Sequence, residues 1–120
     1  MIDLKELKRI IDIEFHDLLG TSGTDIHHNK IRAYLKDDSF VDIWFSKKIE
    51  GRFSYHWERR HINNSVYRHD NFPDPRWNSV STFPKHFHKG TQNKVEESHI
   101  EDDPVSGVKQ FMDFIRKKLE

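Results

Sequence analysis

The stretch NKIRAYLKDDSFVDIWFSKKIEGRFSYHWERRHINNSVYRHD (29–70) decides the fold. Side chains alternate between the two faces of a strand, so apolar residues at every second position mark a half-buried one. Ile31, Ala33 and Leu35 share one face, and Arg32, Tyr34 and Lys36 the other. Asp37-Asp38-Ser39 is turn material, and Phe40–Phe45 is a short strand with a wet side at Asp42. Lys47 to Gly51 supplies the next turn. Phe53, Tyr55 and Trp57 then lie on one face, with Ser54, His56 and Glu58 on the other. Asn63-Asn64 marks a further turn, and Val66–His69 opens a fourth strand. Connections this short join antiparallel neighbours, which predicts a β-meander.

Outward from the meander, both ends read as helices. Asp3 and Glu6 form a candidate capping box. Leu4, Leu7, Ile11, Phe15 and Leu18 recur at three- and four-residue steps, making one apolar face that Gly20 and the polar run TSGTD end. At the other end Asp103 is a candidate N-cap with Pro104 in the first helical position. Val105, Val108, Phe111, Met112, Ile115 and Leu119 continue as a stripe. Between meander and second helix, NFPDPRWNSVST (71–82) reads as an ordered loop. Phe83–His88 is a last short strand, with Pro84 favouring an edge. The expected architecture is a single α+β domain over residues 1–120: an antiparallel β-meander sheet covered by N- and C-terminal helices.

Composition narrows the chemistry. The 120 residues include no cysteine, which excludes disulfides, iron–sulfur clusters and thiol catalysis. No apolar run is long enough to span a membrane, so no membrane association is expected and the cytoplasm is the default location. The formal net charge of zero hides an asymmetry. Residues 46–94 carry ten Lys/Arg against four Asp/Glu, whereas VEESHIEDD (95–103) carries five acids and no Lys/Arg, as an acidic loop. A basic middle attracts phosphates.

Five of the nine histidines fall between His56 and His88. His86 and His88 are two apart, so on a strand both imidazoles face one ligand. They are the first candidates for catalysis, followed by His56. Arg68 is a candidate phosphate grip, because a guanidinium matches two phosphate oxygens at once. Lys85, Lys89 and Arg76 add cationic candidates for RNA or phosphate. Trp77, in the loop, is a candidate stacking platform. Trp44 and Trp57 are expected in the core, and His16 as a packing residue. His69 has the opposite strand parity from Arg68, so the two should not share a ligand. Asp70 is expected chiefly to cap the turn after the fourth strand, alone or with Asn71; Tyr55 and Trp57 should orient the strand that carries His56.

Two chemistries fit these residues. Either His56, His86 and His88 bind zinc or another divalent metal, or the histidines act on a phosphodiester without a cofactor. In the second case one histidine takes a proton from an RNA 2′-hydroxyl and the other protonates the leaving 5′-oxygen, while Arg68 steadies the phosphate. Spacing is compatible with both. A non-catalytic module that binds nucleic acid, a protein partner or its own copy is the other class. A homodimer would cover the helices and edge strands.

At the histidine segments the chain resembles the TumE family of toxin–antitoxin modules. FSYHW (53–57) is similar to its Tyr-x-Tyr/Phe-His-Trp strand, YRHDNFPD (67–74) to its Arg-x-Asp-Asn-x-Pro segment, and TFPKHFHKG (82–90) to its Thr-Phe-Pro-His-His-x-His segment. The match carries over Tyr55, His56, Trp57, Arg68, Asp70, Asn71, Pro73, Phe83, Pro84, His86 and His88. It departs where Asp74 and Pro75 follow Pro73 and where Lys85 replaces the first histidine of the last motif. The resemblance implies a toxin component silenced by a cognate antitoxin, with an activity directed at RNA or nucleotides and, in the favoured form, a histidine-dependent endoribonuclease. A metal-dependent hydrolase or nucleotide-transferring enzyme is an alternative.

Overall fold

A computed structural model describes residues 2–120. Helix α1 (Leu4–Glu14) leads through a 3₁₀ turn into seven strands: β1 (Leu19–His27), β2 (Lys30–Leu35), β3 (Phe40–Phe45), β4 (Phe53–Arg59), β5 (Ser65–Asp70), β6 (His86–Gly90) and β7 (Val95–Glu97). A four-residue helix, α2 (Arg60–Asn63), sits between β4 and β5, and α3 (Pro104–Leu119) closes the chain. The strands lie side by side in chain order, each antiparallel to the next. The α+β meander between two helices is therefore the observed fold.

The alternation read from the sequence explains the two faces. Odd-numbered strand residues Ile31, Ala33, Ile43, Tyr55 and Trp57 are buried in one core with Leu7, Ile11 and Phe15 of the α1 segment. Val108, Phe111, Met112 and Ile115 of α3 join the same cluster. The indole N–H of Trp57 donates to Ser39 Oγ at 2.9 Å, which satisfies the one polar atom of a fully buried ring. On β2 to β6 the even-numbered residues face away from the helices, whereas in β1 after its bulge Thr24 and Ile26 lie on the helix side. Register then sets rows across the sheet: Ser54, Asp70 and His86 are successive partners on β4, β5 and β6, as are His56, Arg68 and His88.

Several local expectations change. Gly20 and TSGTD, expected to end the first helix, belong to β1, the helix itself ending at Glu14; after a bulge, Thr24–His27 pairs with Ala33–Lys30. An edge strand has one neighbour and an open side, so it tolerates polar residues. The acidic run is partly strand as well, because Val95–Glu97 pairs with His88–His86. That pairing makes β6 internal, not an edge, and it begins at His86, after Pro84. Asn63-Asn64 closes α2, with Asn64 left-handed at φ 65°. Asp3 caps α1 through the N–H groups of Lys5 and Glu6, but the Glu6 carboxylate binds Arg9 instead of completing the box. His16 is exposed at the start of the 3₁₀ turn. Trp44 is on the open face, stacked on Phe72 at 5.8 Å, not in the core. His28, at the β1–β2 turn, lies with the strands farthest from β6.

Candidate functional site

Strands β5 and β6 build the site. Their register puts Arg68 opposite His88 and Asp70 opposite His86. All four side chains have even numbers and share the open face. The loop after β5 walls this patch, leaving a cleft of about 380 Å³ lined among others by Arg68, Asp70, Arg76, Trp77, His86 and His88. Asn71 anchors that loop: its Oδ1 accepts from Phe53 N at 2.9 Å and its Nδ2 donates to Gly51 O at 2.8 Å. Asp74 caps the 3₁₀ turn Pro75–Trp77 through Arg76 N. Hydrogen bonds from Arg76 hold the Asp74 carboxyl down at about 2. The Trp77 ring stands perpendicular to His88, with centroids 6.0 Å apart.

The two imidazoles are oriented from behind. His86 Nδ1 lies 2.7 Å from Pro84 O, and His88 Nδ1 lies 2.9 Å from Gln92 O. A carbonyl only accepts, so each Nδ1 carries a hydrogen. Both Nε2 atoms therefore point into the site. His86 Nε2 is 3.3 Å from Asp70 Oδ1, and His88 Nε2 is 3.5 Å from Asp70 Oδ2. His88 Nε2 is also 3.1 Å from Arg68 Nη2, whose N–H supplies a donor to its lone pair.

Asp70 is the hub. Its Oδ2 accepts from Arg68 Nε at 2.9 Å and its Oδ1 from Phe72 N at 3.0 Å. It caps the turn as expected and also gathers both histidines and the arginine. Burial alone would raise its carboxyl, but the hydrogen bonds from Arg68 and the Phe72 N–H, with the two imidazoles beside it, outweigh that and hold the group below its ordinary value. An ionised Asp70 leaves His86 with acceptors at both ring nitrogens. The gap between His86 Nε2 and the carboxylate is a place for a proton or a metal cation.

His56 stands behind Arg68, outside the cleft lining. Its Nδ1 is 3.3 Å from Arg68 Nη1 and its Nε2 3.1 Å from Glu58 Oε1. Burial pushes the His56 imidazole down, assisted by the Arg68 charge and opposed by the Glu58 hydrogen bond. A neutral ring that donates from Nε2 and accepts at Nδ1 suits both neighbours. Arg60 in turn holds the Glu58 carboxyl at about 2, chiefly through side-chain hydrogen bonds.

The structure thus brings together His86, His88, Arg68, Asp70, Arg76 and Trp77. It places the two lysines elsewhere: Lys85 Nζ donates to Ile100 O at 2.5 Å and Asp102 at 3.0 Å, and Lys89 pairs with Glu96 at 3.3 Å. Tyr55 and Trp57 lie in the core beneath the site. His69 occupies the helix face, stacked on Phe87 at 4.2 Å and bonded to Ser98 Oγ at 2.7 Å. Gln92 escaped the sequence reading. Its side-chain oxygen accepts from Arg68 Nη2 at 2.8 Å while its carbonyl holds His88. A hairpin at Gly90, whose φ is +89°, returns the chain alongside His88 and would have pointed to it.

Among the described residues, no helix is long and apolar enough to cross a membrane. No curated protein and no solved structure matches the chain. The family model described as Toxin TumE matches residues 5–119, a span that includes every residue of the site, and the chain belongs to this toxin family.

Proposed function

We propose that this toxin is an endoribonuclease that cuts RNA phosphodiesters in the β5–β6 cleft. Membership of a toxin family implies an antitoxin partner; RNA as the target and the cytoplasm as the compartment belong to the proposal. The observation that carries it is the pair of imidazoles with Nδ1 tied to backbone carbonyls and Nε2 turned toward Asp70 and Arg68. One ring has a lone pair at Nε2 and the other a site for a proton at Nε2, the two states that acid–base catalysis needs.

The steps balance as follows. His88 Nε2 removes the proton from an RNA 2′-hydroxyl, and the 2′-oxygen bonds to phosphorus. The bond from phosphorus to the 5′-oxygen breaks, and that oxygen takes the proton from His86 Nε2. The products are a 2′,3′-cyclic phosphate and a 5′-hydroxyl. Arg68 turns part of its guanidinium from His88 to the phosphate, where charge builds in the transition state. Asp70 holds the His86 imidazolium. Arg76 and Trp77, on the cleft wall, receive the neighbouring phosphate and base.

The test is incubation of metal-stripped protein with end-labelled RNA. The expected result is cleavage with cyclic phosphate ends by wild type and none by His86→Ala/His88→Ala. A His86→Gln/His88→Gln pair, closer in volume, guards against loss of folding, which circular dichroism reads directly. Full activity in a folded double variant would overturn the assignment.

The same three side chains support a second reading, a metal-dependent hydrolase. The ligand atoms of Asp70, His86 and His88 all lie within 4.8 Å of one another. Asp70 replaces His56 in the set expected from sequence, because both ring nitrogens of His56 are engaged with Arg68 and Glu58.

A further inference from the structure

We propose that Asp70, His86 and His88 form a binding site for a zinc-class divalent cation, and that the cation silences the toxin's proton transfer. The silencing rests on the ribonuclease proposal; the site itself does not.

Three observations carry the site. First, the spacing fits. Zinc bound by nitrogen and oxygen at about 2.1 Å in tetrahedral geometry requires ligand atoms about 3.4 Å apart. His86 Nε2 is 3.3 Å from Asp70 Oδ1 and His88 Nε2 is 3.5 Å from Asp70 Oδ2, each ring near that spacing to its own carboxylate oxygen, and the ligand atoms of the three residues all lie within 4.8 Å of one another. Second, both rings are set as ligands. A metal-binding histidine commonly donates its remaining N–H to a carbonyl or carboxylate, which fixes the tautomer. His86 does so to Pro84 O and His88 to Gln92 O. Third, the ligands are rigidly held. Asp70, His86 and His88 are 4%, 2% and 4% exposed on adjacent strands, so little ordering is left for binding to impose. Two imidazoles and one carboxylate suit zinc or a neighbouring transition metal rather than calcium or magnesium, which favour oxygen donors.

The cation would take the places that catalysis uses. It replaces the proton between His86 Nε2 and Asp70, and it occupies the lone pair of His88 Nε2. Neither ring can then give or accept a proton there. Arg68 opposes the metal, since its Nη2 is 3.1 Å from His88 Nε2 and its charge has the same sign. Arg68 keeps Gln92 Oε1 and His56 Nδ1 as partners when it yields. Arg68→Met should therefore bind metal more tightly than wild type while cutting RNA less well.

The experiment titrates metal-stripped protein with Zn²⁺ against a chromophoric chelator, with Co²⁺ absorption reporting ligand geometry. One equivalent should bind, and Asp70→Asn, His86→Gln and His88→Gln should each weaken it by roughly 100-fold or more. His27→Gln/His28→Gln, the control for adventitious histidine binding, should leave affinity unchanged. No stoichiometric binding, or binding indifferent to the three ligand variants, overturns the site and leaves the ribonuclease proposal standing. RNA cleavage is then followed with and without saturating Zn²⁺. Loss of cleavage that a chelator restores supports silencing. A requirement for Zn²⁺ upholds the site, and overturns both the silencing and the metal-free proton transfer. Binding by a protein that cuts no RNA in either state upholds the site and overturns the silencing together with the ribonuclease proposal.

Discussion

Asp70 shows how much one side chain can decide. It meets Arg68, His86, His88 and the Phe72 N–H while only 4% exposed. Removing one partner of a buried ionic group leaves the others uncompensated and costs about 3–5 kcal/mol. Asp70→Asn should lower stability on that order in urea denaturation and abolish RNA cleavage. His69, one residue away but on the other face, governs a different property. Burial, with the nearby Lys85 charge, holds its imidazole at about 3 against an ordinary 6.5. Between those values the unfolded chain binds more protons than the folded one, so stability rises with pH. Above pH 6.5 the contribution is complete; it is lost as the pH falls toward 3. Unfolding midpoints measured across that window should climb and then level, and His69→Asn should flatten the climb. The residue types were legible in the sequence, since parity alone separated His69 from Arg68. That Asp70 binds three side chains at once was not, because two of them come from β6, beyond a loop whose length fixes no register.

Among the elements, α3 depends on a close fit that composition does not reveal. Gly107, in the first turns of α3, has no room for a methyl group: a Cβ would stand 2.7 Å from Glu101 O and 3.5 Å from the Tyr55 ring. Glu101 O is backbone and cannot swing aside, so Gly107→Ala should destabilise by about 1–3 kcal/mol despite alanine's better helix propensity. A lowered melting temperature checks this. Asp103 caps the same helix through Ser106 N at 3.0 Å, and Asp103→Ala should cost about 1 kcal/mol by the same measurement. The caps of both helices and the central strands β2 to β5 were readable from local pattern. The edge strands β1 and β7 were not, since an edge strand can be polar along its whole length and still be held by one neighbour's backbone.

Across the whole molecule the sheet separates stability from chemistry. The helix side holds Tyr55, Trp57, Phe111 and Met112 in one buried cluster, and the opposite side carries the cleft. Phe111→Ala should cost about 3–5 kcal/mol by emptying the centre of that cluster. In whatever fraction stays folded, the RNA cut and product ends should be unchanged. His86→Gln/His88→Gln should show the reverse: a folded protein without cleavage. If Phe111→Ala altered the product ends instead, the two faces would not be independent. The sequence by itself determined the α+β class, the antiparallel order of the middle strands, the alternation of faces along them with Trp44 the exception, and the family through its three ordered motifs. The class, strand order and alternation follow from periods of two and of three to four residues, which are local, and the family from the resemblance of the motifs. Only the tertiary structure decided that Arg68 meets His88, that Asp70 meets His86, that the two lysines turn away and that Gln92 joins the site. Such contacts depend on the register between strands separated by a long loop, and register is set by hydrogen bonds and packing across the whole sheet.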